Sequence, residues 1–147
     1  MKKRILIFAL LLTGISYSFA NTTDGINKKA VASFNKDFSN ARDTKWESKT
    51  GFVLATFSIQ NEVMFAYYST DGELIAVARN ILSDKLPISK LLSLKKDYAD
   101  YWITNLFEVS SNGETSYYAS IENADEKLVL KSFDQGSWDV HSRVEKK

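Results

Sequence analysis

Residues 51–79, GFVLATFSIQNEVMFAYYSTDGELIAVAR, constrain this chain more than any other stretch. Val53, Ala55, Phe57 and Ile59 recur at every second position. Side chains alternate across a strand, so these four share one face of a half-buried strand. Gln60-Asn61-Glu62 breaks the run, and residues 63–69 begin a second strand. Thr70-Asp71-Gly72 then supplies a turn, because glycine takes a positive φ without steric cost. Residues 73–79 form a third strand. Three strands on two tight turns make an antiparallel meander, which needs an apolar layer on one face.

Candidates for that layer lie on either side. Ile26, Ala30, Val31, Phe34 and Phe38 fall at helical spacing, with Asp24 placed to cap the helix. Asn40 to Asp43 end it, and residues 44–49 form a short strand centred on Trp46. Beyond the meander, Ser83-Asp84-Lys85 is a polar link. Pro87, the single proline, stands where proline is best tolerated, in the first turn of a helix. Ile88, Leu91, Leu94 and Tyr98 share a face of that helix. Four further strand-like runs follow at 101–110, 115–122, 127–133 and 138–144. Asn112-Gly113 between the first two is the strongest hairpin signal in the chain.

Helix plus four strands therefore occurs twice. Residues 31–38, VASFNKDF, lie sixty positions before 91–98, LLSLKKDY, and share the serine and the Lys-Asp pair. Residues 57–61, FSIQN, lie sixty-two before 119–123, ASIEN. The near-constant offset favours internal duplication, with one repeat over about 24–82 and the next over about 86–145. A unit of some sixty residues buries only about 60% of its unfolded surface and is marginal alone. The expectation is an α+β fold of tandem helix-plus-four-strand repeats. Both helices pack on one face of a joined antiparallel sheet, and the other face is open to solvent or a partner.

The N-terminus predicts export. Lys2-Lys3-Arg4 is a basic cluster, residues 5–12 are an apolar run too short to span a bilayer, and Ser18-Phe19-Ala20 offers small residues at a cleavage site. This is the pattern of a signal peptide over 1–20, with a mature domain over 21–147 and no stable membrane anchor after cleavage. Removing the three leader cations leaves 16 Lys and Arg against 18 Asp and Glu, a formal charge of −2. That balance argues against nucleic acid as a partner. Absence of cysteine excludes disulfides, although an exported compartment permits them.

Catalytic patterns are missing. His141 is the one histidine, and its neighbour Ser142 points to the opposite face of a strand. Asp71-Gly72-Glu73 and Asp134-Gln135-Gly136 lack the spacing of a calcium loop and read as turns. No glycine-rich phosphate loop occurs. No catalytic residue, cofactor or metal is expected. Aromatic content is what stands out: three Trp, seven Tyr and nine Phe. Tyr67-Tyr68 and Tyr117-Tyr118 each place one ring on each side of a strand. A two-residue loop at Asn61-Glu62 pairs Phe57 with Ala66 and turns Phe65 and Tyr67 away from the helix; a three-residue loop reverses this. Matching Ile121 to Ile59 turns Tyr118 outward. The candidate partner-binding residues are therefore Phe65, Tyr67 and Tyr118, with Trp46 and Trp102 as neighbours. The competing view is that these rings are ordinary strand formers.

The order of leader, helix ending in Phe38, Trp46, Phe52-x-x-Ala55-x-Phe57, Tyr68-Ser69-Thr70-Asp71-Gly72-Glu73-Leu74 and Leu86-Pro87 resembles the secreted PepSY-like, β-lactamase-inhibitor-like family. The likeness is strongest over 31–98. It implies tandem helix-plus-four-strand units, a concave sheet and no enzymatic activity, and it brings no catalytic residues. Ser69 departs from the aspartate expected at that turn. The function expected is a non-enzymatic, periplasmic or secreted module that binds a protein or peptide through the helix-free aromatic face, inhibitor-like in kind. The alternative is a cone-shaped α+β scaffold for a small ligand or a reaction, with a pocket between helix and sheet.

Overall fold

Gln60 and Asn61 have φ of +50° and +67°. Asn112 and Gly113 have +53° and +78°. Both pairs make two-residue hairpin turns whose twist suits the flanking strands. The computed structural model describes residues 25–134 and 136–147. The leader expected over 1–20 and the capping role expected of Asp24 lie outside the described residues. Two α-helices, α1 (Lys28–Asp37) and α2 (Ile88–Asp97), each precede four strands. The strands are β1 (Arg42–Lys49), β2 (Phe52–Ile59), β3 (Glu62–Ser69), β4 (Leu74–Asn80), β5 (Trp102–Ser111), β6 (Glu114–Glu122), β7 (Glu126–Phe133) and β8 (Asp139–Glu145). Their order in an eight-stranded sheet is the chain order. The pairs β1–β2, β2–β3, β3–β4, β6–β7 and β7–β8 are antiparallel. By contact density the chain divides into two units, one ending at Arg79 with Ser110–Asn112 added, the other of Asn80–Val109 and Gly113–Lys147.

In the first unit the Asn27 side chain caps α1 by accepting from Lys29 N at 2.8 Å. Ala30 and Phe34 are buried one helical turn apart, and Ile26 and Phe38 extend the stripe. They pack on Val53, Ala55 and Phe57 of β2 and on Ala66 and Tyr68 of β3. Phe34 is the hub: its ring centroid lies 4.9 Å from Phe57 at 83° and 5.1 Å from Trp46 at 74°, both edge-on. Pairing in β2–β3 corrects the expected register. The loop is Gln60-Asn61, so Phe57 faces Met64 and Ala55 faces Ala66. The slip is two residues, which preserves the face of every side chain.

The β3–β4 turn closes on the helix. Ser69 Oγ accepts from Asp71 N at 3.2 Å and Glu73 N at 3.1 Å, the service an aspartate gives in such a turn. Gly72 has φ +86°, and a Cβ there would stand 2.6 Å from Lys29 Cβ. Ser33 Oγ donates to Gly72 O at 2.8 Å, and Asn27 Nδ2 donates to Thr70 O. The turn therefore meets the helix backbone directly.

In the second unit α2 follows Pro87, whose φ of −49° suits a helix entry. Leu94 packs with Leu106, Tyr117, Ala119, Ile121, Leu128, Leu130 and Trp138. Lys90 is only 4% exposed. Its ammonium donates to Ser132 Oγ at 2.6 Å and to the carbonyls of Phe133 and Gly136. Trp138 Nε1 donates to Lys90 O at 3.0 Å. Three acceptors match the three donors of an ammonium, which is what allows the charge to be buried. Burial pushes the Lys90 pKa down, and the Asp134 carboxylate opposes that.

Candidate functional site

Strand parity defines the helix-free face in each unit. In the first, Val53, Ala55 and Phe57 point to α1, so Phe52, Leu54, Phe65 and Tyr67 point away. Ala76 and Ala78 lie opposite Tyr67 and Phe65 and share that face. The orientation expected of Phe65 and Tyr67 is found, but neither ring is open: Tyr67 is 2% exposed and Phe65 8%. The Phe52 and Tyr67 rings lie 5.8 Å apart. Burial, and then the Glu47 carboxylate, push the Tyr67 phenol well above its ordinary value.

Trp46 requires a correction. It faces Ala55 in the register and packs against Phe34, with its ring 6.5 Å from Tyr68. It belongs beneath α1, not on the helix-free face. Glu47, one residue on, takes the outer position. A short strand with one tryptophan and no clear alternation left its face undetermined; only pairing with β2 decides it.

In the second unit Tyr117, Ala119 and Ile121 point to α2, so Tyr118, Ser120 and Glu122 point away. Tyr118 has the expected orientation and is 2% exposed. Lys131 lies opposite it, with Nζ 5.3 Å from the Tyr118 centroid and 4.6 Å from that of Phe133. The His141 ring meets Tyr118 edge-on at 5.7 Å. An extra residue in β8, between the Val129–Ser142 and Leu130–Val140 pairs, re-aims the strand there. Burial and the Lys131 ammonium hold the His141 imidazole below its ordinary pKa.

Trp102 is 52% exposed and tethered: Nε1 donates to Glu122 Oε1 at 3.0 Å, and Lys146 Nζ lies 5.2 Å over the ring. Glu122 also pairs with Lys127 at 3.3 Å and Lys146 at 3.4 Å. Among the described residues the large rings reachable on this face are thus Trp102 and Phe133, the latter 49% exposed. Phe133 and Lys131 were missed from the sequence. The alternation of 127, 129, 131 and 133 was the available signal, since those positions face away from α2 if 128 and 130 face toward it.

The same unit holds a cleft of about 220 Å³, between the end of α2 and β5–β6, lined by Leu94, Lys95, Tyr98, Ala99, Tyr101, Ile103 and Ile121. Tyr101 Oη donates to Glu126 at its rim. Among the described residues no group of three His, Asp or Glu side chains gathers to hold a metal. No described helix is long and apolar enough to cross a membrane.

No family model matches the sequence, and no curated protein does. Solved structures match in fold. A DUF2874 family protein from Bacteroides ovatus superposes with a TM-score of 0.71 at 15% identity, covering 80% of this chain and 86% of its own. A proposed periplasmic protein from Bacteroides eggerthii gives 0.71 at 12%, covering 80% and 87%. A BLIP-like protein from Bacteroides fragilis gives 0.68 at 15%, covering 80% and 84%. The chain has the BLIP-like fold, an α+β arrangement of two helices and an eight-stranded sheet.

Proposed function

We propose that this chain is a non-enzymatic binding module, exported to the periplasm or beyond, that holds a protein or peptide on the helix-free face of its second unit. The observation that carries this is the pair of half-exposed rings, Trp102 and Phe133, each fixed by a cation or carboxylate beside it. Large rings with few rotatable bonds are favoured as binding anchors, because holding them still costs little entropy. Tyr118 is the buried floor of that face, and Phe65 and Tyr67 form the equivalent floor in the first unit. The fold shared with a proposed periplasmic protein, together with the leader pattern, supports export. The matching order of elements and the sixty-residue offset support internal duplication and a place among PepSY-like proteins.

Two experiments test this. Intact-mass measurement of the exported protein should show loss of residues 1–20; a membrane-held chain that retains them contradicts export as a free module. Affinity capture from an envelope extract with residues 21–147 should enrich a partner. Trp102→Ala or Phe133→Ala should weaken that capture more than tenfold, as truncating a central anchor does. Leu92→Ala, at an exposed position of α2, should leave it intact. Loss with Leu92→Ala and retention with the ring variants sinks the reading.

The apolar cleft at the end of α2 favours a second reading, a small-ligand scaffold. A Leu94-side ligand would shift Tyr98 and Tyr101 resonances and leave Trp102 unmoved.

A further inference from the structure

We infer that Lys131, set between the rings of Tyr118 and Phe133 and beside His141, is the seat for a carboxylate on an acidic, aromatic-bearing segment of the partner. The inference rests on the binding role proposed for this face and names the chemistry it selects.

Two neighbouring cations are engaged: Lys127 and Lys146 both pair with Glu122. Lys131 is half-buried, and among the described residues its ammonium contacts two ring faces and no carboxylate or carbonyl. Asp139 stands opposite it in the β7–β8 register without forming an ion pair. Ring faces attract a cation but leave its N–H donors unfilled. The rings also exclude part of its hydration, so an arriving anion meets a stronger field than on an open surface.

The neighbours narrow the choice of anion. His141 offers an imidazole N–H on one flank, and half-exposed Phe133 offers an apolar shelf on the other. One carboxylate beside an apolar or aromatic residue fills this arrangement. A phosphate backbone does not, because it needs a row of free cations and the neighbouring Lys127 and Lys146 are spent on Glu122.

The test uses two acetylated, amidated pentapeptides, Ala-Phe-Glu-Phe-Ala and its Gln isostere, titrated into the mature chain and followed by amide NMR shifts. The Glu peptide should move Lys131, Phe133 and His141 and bind about tenfold tighter than the Gln peptide, a preference that fades in 1 M salt. Lys131→Met keeps the apolar stem and should erase the preference while leaving the melting curve unchanged. Equal binding of both peptides at Trp102 and Phe133 overturns carboxylate selection and keeps the face as a binding surface. A preference that survives Lys131→Met also overturns the inference. Shifts confined to the α2 cleft, or none from either peptide, overturn the inference and the binding role of the face together.

Discussion

The two units seat a ten-residue helix on four strands, yet they close the joint between helix and turn in opposite ways. In the first, Ala30 is fully buried, and Gly72 brings the turn against the backbone of α1. In the second, the position sixty later is Lys90, and a Cβ on Gly136 would find its nearest neighbour at 3.7 Å. The gap is spanned by a charged strut that fills the turn's acceptors. The cores differ to match. In the first, Phe34 meets Trp46, Phe57 and Tyr68 edge-on and Phe38 at a tilt, whereas Leu94, Leu106, Ile121, Leu128 and Leu130 dominate the second. One architecture thus tolerates either close backbone approach or a long polar bridge, provided every buried donor and acceptor is matched.

The sharpest test of the contrast is in the cores. Phe57→Ala should cost about 3–5 kcal/mol, because Phe57 holds both Phe34 and Phe38. Leu128→Ala should cost about 2–5 kcal/mol, less when its aliphatic neighbours relax into the space. Urea melts measure both; a Phe57 variant no weaker than a surface change would break the account of the aromatic hub.

The joints come next. Gly72→Ala forces a side chain into a left-handed backbone and a 2.6 Å approach to Lys29, so about 2 kcal/mol or more is expected. Gly136→Ala meets neither obstacle and should stay within about 0.5 kcal/mol. Equal losses at the two glycines would show that the turns are seated alike.

Lys90→Met should cost about 1–3 kcal/mol by removing the three charge-assisted hydrogen bonds of the ammonium, while Phe133 O keeps Gly136 N and Gly136 O keeps Ser132 Oγ. It should also change the pH dependence. The folded state holds the Lys90 proton less tightly than the unfolded chain, so that cost of burial is fully present below the depressed pKa. Stability rises as pH climbs from there toward 10.5, and Lys90→Met should abolish the rise. A separate alkaline effect belongs to the first unit. Burial, then Asp37, raise Tyr68, and burial, then Glu47, raise Tyr67. Their contribution is complete below the ordinary phenol pKa of about 10 and is lost as pH climbs above it. Phenolate absorbance should therefore show Tyr67 and Tyr68 ionising only on unfolding, in wild type and Lys90→Met alike.

Local pattern alone determined the order of helices and strands, the hairpin at Asn112-Gly113 and the inward set of β2; the outward direction of Phe65 and Tyr67 hung on the length of the turn after β2, and that of Tyr118 on the match of Ile121 to Ile59. Period-two alternation and φ > 0 preferences act within a few residues, so they are legible without knowing what lies opposite. Tertiary structure decided what depends on a distant partner. Pairing with β2 sent Trp46 beneath α1. A two-residue shift set Phe57 opposite Met64 while keeping its face. Pairing across the sheet laid Lys131 over Tyr118 and brought His141, which the sequence left without a role, against the same ring, with Phe133 two residues along the strand of Lys131. The strut at Lys90 was hidden for the same reason: a lysine on a helix reads as solvated until three oxygens from a turn more than forty residues away converge on its ammonium.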